Sequence, residues 1–548
     1  MTLTHPRTVV PPTGTRRLLA APGPTRIDHE DTLGPLPQLG PWVIDELGRA
    51  GVDGRGGAGF PLARKLAAVT ARGRRRGRGA PLVVANAAEG EPASRKDAVL
   101  LERAPHLVLD GLVVAAAAIG ASEAVLATSD RLAGPVRRAL AERADRGGDR
   151  STDRGGDPVP ISLRVLPHAS FVSGEASALA SAVAGGRGVP EDRVVRLAEG
   201  GPSGRPTLVS NVETLAQAAL VVRFGASWAR GVGSPSSPGT RLVTVSDVTD
   251  PTTGVVLETA GGAPLGELLR ASRLPVTDPA HTRAVLVGGW GGTWLPAAAL
   301  DAPFDPEGMA RWGAAPGAGV LAVLDDRTCP IAVTARLATA LAGASAGRCG
   351  PCVNGLPRIA DVVGDLASGR AGVGSVASGR SARDLAGEVR RVAALVDGGG
   401  ACHHPDGVAR MVRSALDLFH DDVQAHLGGR CLLQRGVRGE RGRRHGCGCG
   451  PRRAARRLDA LPGPGVVHGT VRRAARARRV GLPDRPGRRP RRSRHPRRPR
   501  PSARAGRCGR RRRDVPSAGA PTGGAVSSRR PAPGRPSAQY QCGLTLIS

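Results

Sequence analysis

Lysine is nearly missing from this chain. Its 548 residues include 79 basic side chains, of which only Lys65 and Lys96 are not arginine. Aromatic residues are scarce as well, with five Phe, five Trp and one Tyr, so an aromatic beside a motif carries weight. No apolar run reaches the ~20 residues that a membrane span requires. The richest stretch, 107–127, is interrupted by Asp110. The opening MTLTHPRTVVPPTG lacks a basic segment followed by an apolar one, which argues against an export signal. Nine unevenly placed cysteines are too few for a disulfide scaffold at this length. These absences point to a soluble, cytoplasmic protein of two to four domains, at roughly 100–200 residues per domain.

The formal charge of +33 is concentrated at one end. From Leu432 to Ser548 there are 32 arginines, no lysine and 4 acids, a net +28, which leaves +5 for the rest. This tail of Arg, Gly, Pro and Ala has no hydrophobic periodicity and is expected to be disordered. One reading is a nucleic-acid-binding arm that neutralises phosphates. The other is an out-of-frame stretch of a GC-rich gene, whose codons give mainly these four residues. The abrupt change after GGRC favours the second, and nucleic acid is not expected as a partner.

Ahead of the tail, Pro- and Gly-rich residues 1–40 are expected to form an extended lead-in. An α/β alternation follows: a helix at 42–49, a glycine loop at 54–61, a helix through Lys65 and a buried strand at 82–86. An acidic loop at 89–92, a long helix at about 106–119 and a strand at about 123–127 continue it. Strand, turn and helix recur over 170–183, after a solvated loop at 145–157. Short β-patterned runs over about 238–300 predict a small module with its own sheet. Four amphipathic segments between about 332 and 427 predict an antiparallel bundle.

Two constellations carry chemistry. Gly54, Gly56 and Gly59 satisfy G-x-G-x-x-G, whose glycines let backbone N–H groups approach phosphate oxygens. A helix precedes this loop where a dinucleotide fold needs a strand, so a structural turn is an equal alternative. Lys65 lies just past the glycine loop and Lys96 just past the acidic one. In a chain that otherwise uses arginine, these two hint at specific anion or ring contacts. Cys349-Gly350-Pro351-Cys352, with Cys402 where the last helix starts, could bind zinc or an iron–sulfur cluster, or form a redox pair. His403 and His404 are available to zinc, and a thioredoxin-like site is excluded because no strand precedes the motif.

In order along the chain, GRGGAGFPLARK (54–65), NAAEGEPASRKD (86–97), SFVSGEASAL (170–179), GRPTLVSNVETLA (204–216) and SAGRCGPCVNG (345–355) resemble a known family. It is the NADH-binding flavoprotein subunit of respiratory complex I, related to diaphorase subunits of NAD-reducing hydrogenases and formate dehydrogenases. The resemblance covers residues 50–430 and implies an α/β fold. A Rossmann-like FMN domain (41–237) would be followed by a ubiquitin-like β-grasp domain (238–325) and a helical iron–sulfur domain (326–431). It implies hydride transfer from NAD(P)H to FMN and electron transfer through the cluster to an iron–sulfur or ferredoxin-like partner. Gly54, Arg55, Gly56, Gly57, Ala58, Gly59 and Phe60 would line the nicotinamide-nucleotide site, with Phe60 on the adenine. Lys65, Asn86, Glu89, Gly174, Glu175, Asn211 and Thr214 would contact FMN, with Glu91 and Ser210 in the same cofactor-binding set. Glu89 and Glu175 would orient the reacting cofactors, and Cys349, Cys352 and Cys402 would ligate the cluster.

The chain departs from the family pattern at several positions. Ala88 and Ala176 stand where the family has acids, Phe171 replaces a tyrosine, and Ala68 replaces a second stacking aromatic. An aromatic loop segment is missing around 190–200. Ala346 replaces the first cluster cysteine, which leaves three ligands for a [4Fe–4S] or [3Fe–4S] cluster and makes Cys329, Cys431, His403 and Asp406 candidates for a fourth. These alanines keep open a second class, a degenerate, non-catalytic assembly subunit.

Overall fold

The computed structural model describes residues 14–73, 79–144, 157–166, 170–191, 195–369, 385–433 and 545–547. The expected surface loop at 145–157 and the basic tail lie almost wholly outside these residues.

The first half is built on four parallel strands: β1 (Leu82–Ala87), β2 (Glu123–Ser129), β3 (Ile161–Leu166) and β4 (Thr207–Asn211), in the order β3-β2-β1-β4. Strand β1 is central, and Leu82 pairs with Glu123 on one side and Thr207 on the other. Its residues alternate between two apolar clusters, Val83, Ala85 and Ala87 on one face, Leu82 and Val84 on the other. A strand covered on both faces has no polar side, which is why LVVANA reads as a continuous run.

Around the sheet lie α1 (Arg26–Leu33), α2 (Trp42–Ala50), α3 (Leu62–Gly73), α4 (Lys96–Arg103), α5 (Pro105–Ile119), α6 (Asp130–Ala144), α7 (Ala176–Val183), α8 (Leu197–Gly200), α9 (Val212–Phe224) and α10 (Ala226–Arg230). Helix α5 is apolar nearly all round and correspondingly buried. It packs so tightly on α9 that a Cβ at Gly111 would lie 2.1 Å from the Leu215 carbonyl oxygen. The one acid of α5, Asp110, is enclosed by Arg143, Arg223 and His29.

The lead-in is not wholly extended. Thr25 caps α1 by accepting from the Asp28 N–H, and His29 then reaches Asp110 at 2.7 Å. Further upstream, the Arg17, Leu18 and Leu19 N–H groups all donate to the buried Glu258 carboxylate. The strand expected near 170 is instead a 3₁₀ turn, Phe171–Gly174. Reciprocal Ser170 and Ser173 side-chain bonds close its first turn.

A two-residue ribbon, β5 (Gly233–Ser234) and β6 (Ser237–Pro238), leads into a second sheet. It contains β7 (Thr240–Asp247), β8 (Asp250–Ala260), β9 (Thr282–Val287), β10 (Thr293–Pro296), β11 (Val320–Asp325) and β12 (Thr545–Ile547), in the order β10-β9-β11-β7-β8-β12. Only β7 and β11 run parallel. Helices α11 (Leu265–Ser272) and α12 (Pro306–Ala310) accompany it, and the α11 leucines fill one core with Phe304 and Met309. Strand β12 gives three residues of the tail a place in the sheet.

The bundle follows as α13 (Pro330–Gly343), α14 (Leu356–Ala367), α15 (Leu385–Val396), α16 (His404–Leu418) and α17 (His420–Leu427). Its fourth predicted segment is two helices, broken at Phe419, whose buried ring meets Trp294 at 5.4 Å. Cys402 lies in the bend before α16 rather than on the helix. Among the described residues, no helix is long and apolar enough to cross a membrane.

Candidate functional site

The family-motif residues of the first half gather at the C-terminal ends of β1 and β4, where open parallel sheets expose their loops. The glycine loop joins α2 to α3 and is closed by the Gly54 N–H on the Phe60 carbonyl at 3.0 Å. Gly57 and Gly59 take positive φ, +112° and +62°, and a Cβ at Gly59 would point into open space. The loop is fixed from beneath: Arg55 N–H donates to Thr214 Oγ1 at 2.8 Å, and Gly56 sits against Asn211. Residues 56–60, Ala58 included, are exposed. Arg55 is buried and its Nε has no hydrogen-bond partner.

From there a chain of contacts crosses the strand ends. Asn211, paired with Asn86 across the sheet and next to the buried Ser210, donates to Asp97 at 2.7 Å and accepts from Lys96 Nζ at 3.1 Å. Asn86 donates to the Gly174 carbonyl at 2.7 Å. The acidic loop touches the 170–175 turn so closely that a Cβ at Gly90 would lie 2.5 Å from the Phe171 carbonyl oxygen. Lys65 Nζ lies 3.4 Å from the Val209 carbonyl, makes no ion pair among the described residues, and is depressed by burial. A desolvated ammonium without a carboxylate partner suits a phosphate.

Each of the three glutamates of the site is tied down by backbone N–H groups. Glu89, at the strained φ of +41°, accepts from Asp97 N–H, Ala98 N–H and Ser94 Oγ at the start of α4. Burial, with Asp97 nearby, pushes its carboxyl up to about 7. Glu91 accepts from the Trp290 and Ala93 N–H groups, and burial raises it to about 7 as well. Glu175 caps α7 through the Ser177 and Ala178 N–H groups. Ala88, by contrast, is sealed into the apolar cluster of Leu82, Val84 and Leu179.

Lys96 is the residue that the motifs undervalue. Its side chain is 3% exposed, and its Nζ meets Asp97 at 2.6 Å and Glu213 at 3.1 Å. The two acids hold it charged despite burial. Its rarity as a lysine is the one signal in the sequence.

The thiols adjoin this site. The Phe171 ring lies 4.9 Å from His404, and Glu175 and Cys402 are close enough to interact electrostatically. Cys352 hydrogen-bonds to Cys349 and Ser345, and Cys349 bonds to the Ala401 backbone. Burial and the neighbouring Cys349 push Cys352 up to about 12. These thiols do not come within 4.8 Å of one another as a group of three, the closeness one zinc ion would ask for. A larger iron–sulfur cluster suits their spread.

Two proposed fourth ligands are displaced. Cys329 immediately precedes α13, and the C-x-x-C loop follows its end, 14 residues or about 20 Å further along. Cys431 stands with Cys329. His403 is 99% exposed and bound to Asp406 at 2.8 Å, which occupies both remaining candidates with each other.

The fold and site define a nucleotide-binding α/β protein wired to a thiol-bearing helical domain. Residues 47–220 match the Nuo51 FMN-binding domain family, and residues 332–426 match the NADH-ubiquinone oxidoreductase-F iron-sulfur binding region. An NADH-quinone oxidoreductase subunit of Streptomyces coelicolor is 31% identical over 71% of this chain and 83% of its own. Another, of Rhizobium meliloti, is 29% identical over 70% and 88%. A solved NAD+-reducing [NiFe]-hydrogenase chain superposes with a TM-score of 0.58 at 29% identity over 70% of this chain. This chain spans 62% of that hydrogenase chain's length. The chain belongs to the Nuo51 family of NADH-quinone oxidoreductase subunits.

Proposed function

We infer that this protein is an electron-transferring oxidoreductase of the NADH dehydrogenase type. It would take reducing equivalents from a nicotinamide cofactor and pass them through FMN and an iron–sulfur cluster to an iron–sulfur or ferredoxin-like partner in the cytoplasm. The carrying observation is the run of contacts from the glycine loop through Asn211, Asn86 and Gly174 to Glu175, which lies close enough to Cys402 to interact electrostatically. The strand order β3-β2-β1-β4 supports a Rossmann-like cofactor domain, and the mixed order β10-β9-β11-β7-β8 supports a β-grasp module.

Lys65 and the glycine-loop N–H groups would hold phosphate, and Phe60 would stack on adenine. FMN, when bound, supplies conversion between a two-electron donor and a one-electron acceptor. Asn86, Glu89, Gly174, Ser210, Asn211 and Thr214 form the polar wall that orients it, while Glu91 fixes the acidic loop to Trp290. Glu175 stands between this wall and the cluster thiols.

The test is anaerobic absorption of the full chain reconstituted with FMN, iron and sulfide, before and after NADH. Bleaching of the flavin band near one equivalent of NADH is expected. The sealed, apolar setting of Ala88 favours the non-catalytic reading, in which flavin binds yet stays oxidised with both NADH and NADPH.

A further inference from the structure

At the opposite end of α13 from the C-x-x-C loop, three ligand atoms of another kind converge. Cys329 Sγ, His426 Nε2 and Cys431 Sγ lie within 4.8 Å of one another, and all three residues are buried. Cys329 Sγ and His426 Nε2 are 3.3 Å apart. A tetrahedral zinc ion, with bonds near 2.3 Å to sulfur and 2.0–2.1 Å to nitrogen, places its ligands about 3.5–3.8 Å apart. The spacing therefore suits one metal ion and is too tight for a cluster of irons.

Independent observations point to a ligand. Asp422 lies one helical turn before His426 on α17 and is 2% exposed. Its Oδ2 accepts from Arg283, whereas its Oδ1 is buried with no hydrogen-bond partner. It feels both the Cys329 thiol and the His426 ring electrostatically. The His426 ring also bonds to the Leu366 carbonyl. With Nε2 at Cys329, that bond falls to Nδ1–H. A metal-bound histidine commonly has its second nitrogen anchored in this way, which leaves the Nε2 lone pair facing the thiols.

We propose that Cys329, His426 and Cys431 form a mononuclear zinc site, with the fourth position left to water and the neighbouring Asp422 acting from the outer shell. Two soft thiolates and an imidazole select zinc over the oxygen-seeking cations. The site joins the first residue before the bundle, its last helix and the chain beyond that helix. This makes it a structural clamp, separate from electron transfer and independent of the function inferred above.

The full-length protein, purified without chelators, is expected to carry one zinc per chain. Exchange for cobalt should give thiolate-to-cobalt charge-transfer bands and the strong visible absorption of a tetrahedral site. Zinc content should fall at least about tenfold in Cys329→Ser and His426→Gln, stay unchanged in Cys402→Ser, and bind roughly 10–100-fold more weakly in Asp422→Asn. If Cys329→Ser fails to fold, Cys431→His, which keeps a zinc ligand, should retain the metal with a shifted cobalt charge-transfer band. The proposal is overturned if the wild-type chain binds neither zinc nor cobalt in this way. A Cys329–Cys431 disulfide found by mass spectrometry, or zinc lost with Cys402→Ser, overturns it too.

Discussion

Helix α13 separates two sulfur sites that differ in how far the sequence reveals them. At its C-terminal end, Cys349 and Cys352 are three residues apart and announce themselves as a motif, with Cys402 brought to them by the turn before α16. At its N-terminal end, Cys329 meets His426 and Cys431, about 100 residues away, and no spacing rule marks them. The first follows the motif that the family resemblance points to, with alanine at position 346. The second follows no pattern, yet three buried donors converge there. Local spacing reveals chemistry built from neighbouring residues, whereas convergence across a bundle appears only once the helices are packed.

The largest expected effect tests that division directly. Cys349→Ser and Cys402→Ser should each lower bound iron by about tenfold or more, because a three-thiolate cluster has no spare ligand. Cys329→Ser should leave iron per chain unchanged, as measured by iron analysis of the anaerobically purified protein. Equal iron loss in Cys329→Ser would mean that the two ends share one site.

The buried ion network comes next. Lys96 is flanked by its own neighbour Asp97 and by the distant Glu213, which also accepts the Leu242 N–H at 3.0 Å. Lys96→Met leaves two buried acids uncompensated and should cost about 3–5 kcal/mol by chemical denaturation. The double change Lys96→Met with Glu213→Gln should recover part of that loss. No recovery would show that the long-range partner contributes nothing beyond the local one.

A smaller effect probes the N-terminal segment. Burial pushes Glu258 up to about 7, against hydrogen bonds from Leu18, Thr240, Arg17 and Leu19. Its folded value lies above the ordinary 4.5, so the folded chain keeps a proton that the unfolded chain releases between about pH 4.5 and 7. Stability should therefore fall as pH rises across that window, by about 3 kcal/mol from this group. Glu258→Gln should flatten the slope, as followed by urea midpoints at several pH values.

These contrasts show what is legible in the sequence. The buried strand at 82–86, the glycine loop after a helix and the bundle follow from periodicity and turn residues, and the structure has them within a few residues. Helix α1 is hidden because its apolar content is low and its stability comes from the Thr25 cap and the His29–Asp110 contact. The role of Lys96 depends on Glu213, more than 100 residues away, and Phe171 finds His404 only through folding. Cys329 is set apart from the cluster thiols in the same way: the sequence does not show the axis of α13, which places about 20 Å between Cys329 and the end of that helix.

The smallest effect returns to the most local motif. Phe60 is 43% exposed, and the Arg64 guanidinium lies over its ring, 5.4 Å from the ring centre. Truncating it removes little from the fold, so Phe60→Ala should change stability by less than about 0.5 kcal/mol. If its ring instead stacks on the adenine of the donor, the loss appears in binding. About 1 kcal/mol, or roughly a fivefold rise in the KM for NADH with kcat unchanged, is expected. Phe171→Ala should behave oppositely, because its ring is held between the cofactor turn and His404. It should lower stability more than it raises KM. Matching profiles for the two variants would erase the distinction between a ring that waits for a ligand and one that packs within the fold.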